Sequence, residues 1–355
     1  MTNAYINRIA TAVPAHDVHA AFVRFTQNGW PEGKVKAVFS RLAQRSGIEH
    51  RYSVLAQDGL VEADDPAPGI YRRGAFPGTA ARMRLYEHHA PELALQALAA
   101  LDIAAEAERV THLVVASCTG FMAPGLDQLI ARRLGLRPDV QRTLVGFMGC
   151  SAAVPALRIA QAAVLANPAS RVLVVNLELC TLHMQETQDL EVSLSFLIFG
   201  DGCAACLVSA DQHGIMLHDF RTTVVPDSED LITWHIGDQG FVMHLSGQVP
   251  ARITRALREN TGDLLRGEGT QAIDLWAVHG GGRTILDAVQ AGLNLPPAAL
   301  ETSRAVLAAY GNMSSATIMF VLKQMLSDAA EGQRGLAMAF GPGMAVETVR
   351  FEMAA

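Results

Sequence analysis

Cys150, His279 and Asn312 each stand at a turn beside a predicted helix, where a nucleophile, an imidazole and a hydrogen-bond donor can reach one substrate. Cys150 lies in VGFMGCSAAVPALRIAQAAVLA. There residues 143–147 read as a short apolar strand, Met148 and Gly149 make the turn, and a helix runs over 150–166. Leu157, Ile159, Ala160, Ala163 and Val164 recur at helical spacing, so that helix has a buried face. A cysteine in the first turn of a helix meets unpaired N–H groups and the positive end of the macrodipole. That position, with His279 as neighbour, predicts a thiol pKa below that of a free cysteine and hence a reactive thiolate.

His279 ends the predicted strand 274–279 and is followed by Gly280, Gly281 and Gly282. This places an imidazole at the carboxyl edge of a sheet, where α/β folds carry their sites. Asn312, in AAYGNMSSATIMFVL, follows a Tyr-Gly turn and precedes a helix starting near Ser314. The Gly-rich turn in AFGPGMAVE lets backbone approach a ligand closely. Singly, each has a plainer reading: an inert core cysteine, a satisfied core histidine, a helix cap. Together they open two mechanisms. One is proteolysis by a thiolate–imidazolium pair oriented by Asn. The other is thioester chemistry, in which Cys150 takes an acyl group while His279 and Asn312 stabilise the enolate left when a malonyl thioester loses carbon dioxide. Parallel sheets, an intracellular setting and an arginine-bearing helix favour the second.

The elements around these residues alternate. Residues 5–13 read as a strand, 17–47 as mostly helical, 56–80 as a long surface loop and 82–105 as helix. Strand 110–118, helix 126–134, strand 171–179 and strand 202–210 follow. Strand 274–279, helix to about 291, helices 298–310 and 314–326, and strands 335–340 and 345–351 close the chain. Apolar strands alternating with helices predict an α/β fold with a mainly parallel sheet covered on both faces. The two halves share a strand, reactive turn and helix without a repeat by identity, and the boundary falls at 211–214. With 355 residues, 50% of them hydrophobic, the chain can bury two fused cores. A net charge of −7 argues against a nucleic-acid surface. No apolar run reads as transmembrane, and MTNAYINRIATAVP lacks the charged start and long apolar core expected of a signal peptide. The cysteines, 118, 150, 180, 203 and 206, form no spaced framework, as expected of a reducing, cytoplasmic chain. Cys203 and Cys206 lie at odd separation on a strand, facing opposite ways, which argues against a metal site.

Six stretches carry a resemblance. MGCSAAVPALRIA, LSFLIFGDGCAACLVS, PDSEDLITWHIGDQGFVMHL, WAVHGGGRTILDAV, YGNMSSATIMFVL and AFGPGMAVE resemble, in order, the blocks of type III polyketide synthases, the chalcone synthase-like family. The resemblance implies a thiolase-like fold of two α/β halves in αβαβα layers (1–211 with the cysteine, 212–355 with His and Asn). It implies a homodimer acting on CoA thioesters, with no carrier protein and no cofactor. Cys150 is then the nucleophile, with His279 and Asn312 its catalytic partners and Phe199 the gatekeeper aromatic. Arg41 and Arg45 fall where the family binds CoA phosphates, and Ser314 falls on a pocket position. The chain departs from plant members at the cavity: Trp234 stands for a small glycine, Met243 for a phenylalanine, and Cys180 and His183 for threonines. The methionine that crosses the plant dimer maps to Ala123, with Met122 just before it. These changes point to a bacterial-style member. The rival of the same fold is a chain-initiating β-ketoacyl carrier-protein synthase. A non-catalytic thiolase-fold subunit would be expected to lack one of the three catalytic residues.

Overall fold

The computed structural model describes residues 2–354. The first half runs β1 (Ala4–Ala12), β2 (His16–Asp17), α1 (His19–Gly29), α2 (Lys34–Gln44), β3 (Tyr52–Ser53), β4 (Leu60–Val61), β5 (Tyr71–Arg72), α3 (Thr79–Ala100), β6 (His112–Ser117), α4 (Leu126–Leu134), β7 (Gln141–Gly146), α5 (Ala153–Ala166), β8 (Val172–Leu179), α6 (Leu190–Ile198) and β9 (Asp201–Ser209). The second runs β10 (Gly214–Val224), β11 (Ile232–Gly237), β12 (Gly240–Leu245), α7 (Val249–Leu264), β13 (Leu275–Val278), α8 (Arg283–Leu293), α9 (Glu301–Tyr310), α10 (Thr317–Asp328), β14 (Arg334–Gly341) and β15 (Ala345–Ala354). Nine strands form one sheet in the order β13-β14-β15-β10-β1-β9-β8-β6-β7.

Three apolar clusters explain the layering. Helices α3 and α4 cover the outer face of β6, β8 and β9 through Leu93, Leu98 and Ile130 against Leu113, Val175 and Leu207. Helices α7, α8 and α9 cover the outer face of β13 and β14 through Ile253, Leu286 and Leu307 against Trp276 and Met338. Between the two lies a layer of α5 and α10, whose Leu157, Val164, Ile318 and Val321 touch strands of both halves, among them Val174, Ala204, Ala337 and Phe351. The one sheet thus covers this layer on both sides, giving the order helix, strands of the first half, helix, strands of the second half, helix, the thiolase-like arrangement. A helix clamped between two sets of strands must be largely apolar, and that is why α5 reads as it does.

Several expectations change. Within the nine-stranded sheet, the pairings β6–β7, β6–β8 and β13–β14 are parallel. The remaining contacts in the sheet are antiparallel, because β14 turns straight into β15 and β1 returns between the halves. The strand before Cys150 is an edge strand, largely exposed rather than buried. The stretch 56–80 is more than a surface loop, since Val61 and Tyr71 are buried. Residues 214–264, unassigned by pattern, supply three strands and α7. Contrary to the sequence reading, Gly149–Ala166 is apolar and long enough by composition to cross a membrane, with mean hydropathy 1.4. Its apolar side chains instead fill the middle layer, where Ala153, Leu157, Ala160 and Val164 have no exposed surface.

Leu157 tests this clamp. Leu157→Ala removes a fully buried side chain from contact with both halves and should lower unfolding free energy by about 2–5 kcal/mol. Denaturant titration should show a lower midpoint with an unchanged slope; a change of under about 0.5 kcal/mol would mean that the site is not packed as described.

Candidate active site

Strand β7 delivers the chain to Cys150 through a strained corner. Phe147 has φ +55° and Gly149 φ +60°. A Cβ on Gly149 would stand 2.5 Å from Cδ of Pro342, so only glycine fits. Cys150 lies in a 3-10 turn, Gly149–Ser151, and α5 begins only at Ala153. The thiol is therefore one short turn ahead of the helix, not in its first turn. The sulfur is enclosed although the residue is only half-buried, and burial pushes the thiol up to about 11. The Ser314 hydroxyl and the Asn312 amide pull the other way. Desolvation thus outweighs the helix-terminus effect expected from the sequence.

His279 directly follows β13 at that strand's carboxyl end, where its backbone N–H donates to the Met338 carbonyl of β14 at 2.8 Å. The residue is 1% exposed and neither ring nitrogen has a hydrogen-bond partner among the described residues. Burial lowers its pKa to about 4. Gly281 packs close to the ring, and its carbonyl accepts a long 3.4 Å bond from Nδ2 of Asn312. The Asn312 Oδ1 accepts from the Ser314 N–H at 2.8 Å, which fixes the amide and leaves the NH2 group largely free. Asn312 therefore faces the cysteine rather than simply starting a helix.

Behind Ser314 lies a polar column that sequence reasoning missed. Glu178 is fully buried on β8. It accepts from the Cys118 N–H at 3.0 Å, Thr119 Oγ1 at 2.9 Å and Ser315 Oγ at 2.6 Å. The Cys118 sulfur lies 3.4 Å from both carboxylate oxygens and 3.5 Å from Ser314 Oγ. Burial lifts Glu178 to about 7. The available signal was a lone acid inside the apolar run RVLVVNLEL.

A small cavity opens at Cys150, lined by Cys118, Cys180, Phe199, Trp234, Met243 and Ser314 among others. Trp234 and Met243 pair across the β11–β12 hairpin. The Trp234 Nε1 donates to the Cys118 carbonyl at 2.8 Å, so the indole is pinned in the wall. Phe199 follows α6, and its backbone bridges to Asn312. His183 is a correction: it lies behind the wall and has no exposed surface. Its ring stacks on Phe241 at 4.2 Å, Nε2 meets the Thr119 carbonyl at 2.7 Å and Nδ1 accepts from the Phe241 N–H at 3.0 Å. With both nitrogens engaged it positions the hairpin and does not line the pocket.

A broad open groove is lined by Leu42, Arg45, Leu245, Gly281, Gly282 and Arg283, among others. Arg45 and Arg283 place two cations there, beside the amino end of α8. Arg41 is exposed on α2 and is not among the groove's lining residues, which separates it from Arg45.

Two family models match the chain: "Chalcone and stilbene synthases, N-terminal domain" over residues 3–212 and "Chalcone and stilbene synthases, C-terminal domain" over 216–353. The alpha-pyrone synthesis polyketide synthase-like Pks18 of Mycobacterium tuberculosis is 33% identical over 372 aligned residues, covering 99% of this chain and 92% of the relative. Among solved structures, PKS-I of the brown alga Ectocarpus siliculosus superposes with a TM-score of 0.88 at 28% identity, over 99% of each chain. The C-terminal type III domain of Steely1 from Dictyostelium shares the fold, with a TM-score of 0.86 at 22% identity, over 99% of this chain and 100% of that domain. With family matches to both halves and a relative one-third identical along almost its whole length, the chain belongs to the chalcone and stilbene synthase family and is a type III polyketide synthase, an acyl-transferring condensing enzyme of the thiolase superfamily.

Proposed function

We propose that the protein loads an acyl-CoA starter onto Cys150, extends it with malonyl-CoA units and releases the chain as a cyclised pyrone or phenol. The observation that carries this reading is a buried Cys150 thiol that lines an apolar cavity and is hydrogen-bonded toward the Asn312 amide, in a chain whose His279 imidazole is buried with neither nitrogen partnered. Cys150 thiolate attacks the starter thioester, the C–S bond to CoA breaks, and the CoA sulfur leaves with the proton held on His279. Malonyl-CoA then loses carbon dioxide, and the enolate oxygen takes hydrogen bonds from Asn312 Nδ2 and His279. The enolate carbon attacks the acyl carbonyl on Cys150, forming a C–C bond and releasing the thiolate. No cofactor or carrier protein takes part. Phe199 screens the cavity from the CoA groove, and Arg45 binds CoA phosphate there, with Arg41 a more distant contributor. The similarity to Pks18, an alpha-pyrone synthesis polyketide synthase-like protein, supports an α-pyrone product for this chain.

The unpaired edge of β7 supports a homodimer. Phe121, Leu144 and Met148 there are 39%, 46% and 38% exposed, an apolar edge of the kind that pairing with a second copy covers. All five cysteines are free, which supports a reducing, cytoplasmic setting.

Burial opposes ionising either Cys150 or His279 alone, but proton transfer between them gives a neutral pair that desolvation penalises far less. Iodoacetamide should therefore alkylate Cys150 at a rate that changes little between about pH 6 and 9. In His279→Gln the thiol must ionise to solvent, and the rate should rise about tenfold per pH unit across that range. Parallel profiles in the two proteins would remove His279 from this role.

Trp234 limits product size, since an indole stands in the cavity wall and close-packed walls register even one methylene. With malonyl-CoA, one acyl-CoA and no carrier protein, the enzyme should make triketides or tetraketides, and Trp234→Gly should add one or more two-carbon units by product mass. An unchanged product spectrum from a less stable protein would make Trp234 a space-filling residue.

A further inference from the structure

The last carbonyls of a helix have no partner within it, and α6 ends at Ile198, beside the turn that carries Asn312. Two residues divide those carbonyls. Arg51, 1% exposed, donates from Nη1 to the carbonyls of Phe196 at 2.9 Å and Phe199 at 2.7 Å. The backbone N–H of Asn312 donates to the Ile198 carbonyl between them at 2.8 Å, and the Gly200 N–H donates to the Asn312 carbonyl at 2.9 Å. Gly311, at φ +70°, lies in the angle of this junction. A Cβ there would stand 2.8 Å from both Arg51 Cγ and the Ile198 carbonyl oxygen. The arginine stem thus rests on the residue before Asn312 while its head holds the helix end that Asn312 pairs with.

The arginine is itself anchored from outside the site. Its Nε donates to His19 Nδ1 at 3.0 Å, and the Asp17 carboxylate accepts from the backbone N–H groups of His19 at 3.1 Å and Arg51 at 3.3 Å. Burial and the Arg51 charge lower His19 to about 4, so it is a neutral acceptor at physiological pH. Burial lowers Arg51 to about 9, which leaves the guanidinium charged and its bonds charge-assisted. Just upstream, the N–H groups of Glu49 and His50 donate to the Ala308 carbonyl of α9 at 2.8 and 3.1 Å. One short segment therefore ties α6, α9 and the Asn312 turn together.

We propose that Arg51 is a positioning residue for the malonyl step: by clamping the end of α6 to the Asn312 turn, it sets where the Asn312 amide stands relative to Cys150. The amide's 2.8 Å tether, from Oδ1 to the Ser314 N–H, is to its own turn, so its place in the site follows the backbone. Cys150 reaches the site by a separate route, through β7 and the Gly149 corner against Pro342. Loss of the clamp therefore displaces the amide and leaves the thiol in place. A misplacement of about 1 Å at a reacting group costs on the order of a hundredfold. The inference rests on the proposed role of Asn312 in holding the enolate.

The test follows two steps separately in the full-length protein: carbon dioxide release from malonyl-CoA, and acylation of Cys150 by hexanoyl-CoA alone, read by quenching and peptide mass. Arg51→Met should lower decarboxylation by about ten- to a hundredfold and loading by less than about threefold. Arg51→Lys keeps the charge and the stem but has no fork to span His19 and both carbonyls. It should lower the ratio of decarboxylation to loading by about threefold or more, and it decides the matter if the Met variant does not fold. In an Asn312→Ala background, Arg51→Met should lower decarboxylation no further, because the two act through one amide. Losses that multiply in the double variant, or loading and decarboxylation that fall together in the Arg51 variants, would overturn the proposal. Decarboxylation that survives in Asn312→Ala itself would instead overturn the role given to Asn312, and the positioning role with it.

Discussion

A thiol and an imidazole that are both shut away from water do not ionise one at a time. Burial pushes Cys150 up to about 11 and His279 down to about 4, so each alone is held neutral at physiological pH. The state that escapes this penalty is the one in which both are charged together, with no net charge to desolvate. Exclusion of water also serves the second half of the reaction, because hydrogen bonds to a developing enolate are stronger where water does not compete. The enclosure is thus the common requirement of loading and extension.

The layers exist to hold that enclosure still. Helices α5 and α10 are clamped between two sets of strands, and the turns that precede them carry Cys150 and Asn312. Strand β13 carries His279 at its carboxyl end, and β14 with the turn after it closes the cavity through Phe340, Gly341 and Pro342. Glu178, Cys118, Thr119 and Ser315 satisfy one another beneath Ser314. A buried carboxyl with that many donors fixes the floor of the site and keeps Ser314 beside the sulfur.

The chemistry was legible because it depends on residue types at turns. Cys150, His279 and Asn312 announce themselves by the glycines and helix starts around them, and the helix periodicity of α5 and α10 is strong. Direction in the sheet was not legible: apolar runs such as β8 and β9 read alike whether their neighbours are parallel or antiparallel, and only the connections decide. Residues 214–264 escaped because β10 and the β11–β12 hairpin are part-exposed and mix polar with apolar side chains. His183 was misplaced because a family position says where a Cα lies, while the side chain turned to Thr119 and Phe241. The pKa of Cys150 was misjudged because sequence shows a helix start but not how much water is shut out.

Three cysteines line one cavity, and in the proposed reaction Cys150 alone carries the acyl chain. Brief incubation with an acyl-CoA, acid quenching and peptide mass analysis tests it directly. The peptide containing Cys150 should gain a thioester-labile mass increase that is lost in Cys150→Ser, with the Cys118 and Cys180 peptides unmodified. A labile adduct on Cys118 or Cys180 that persists in Cys150→Ser would contradict it.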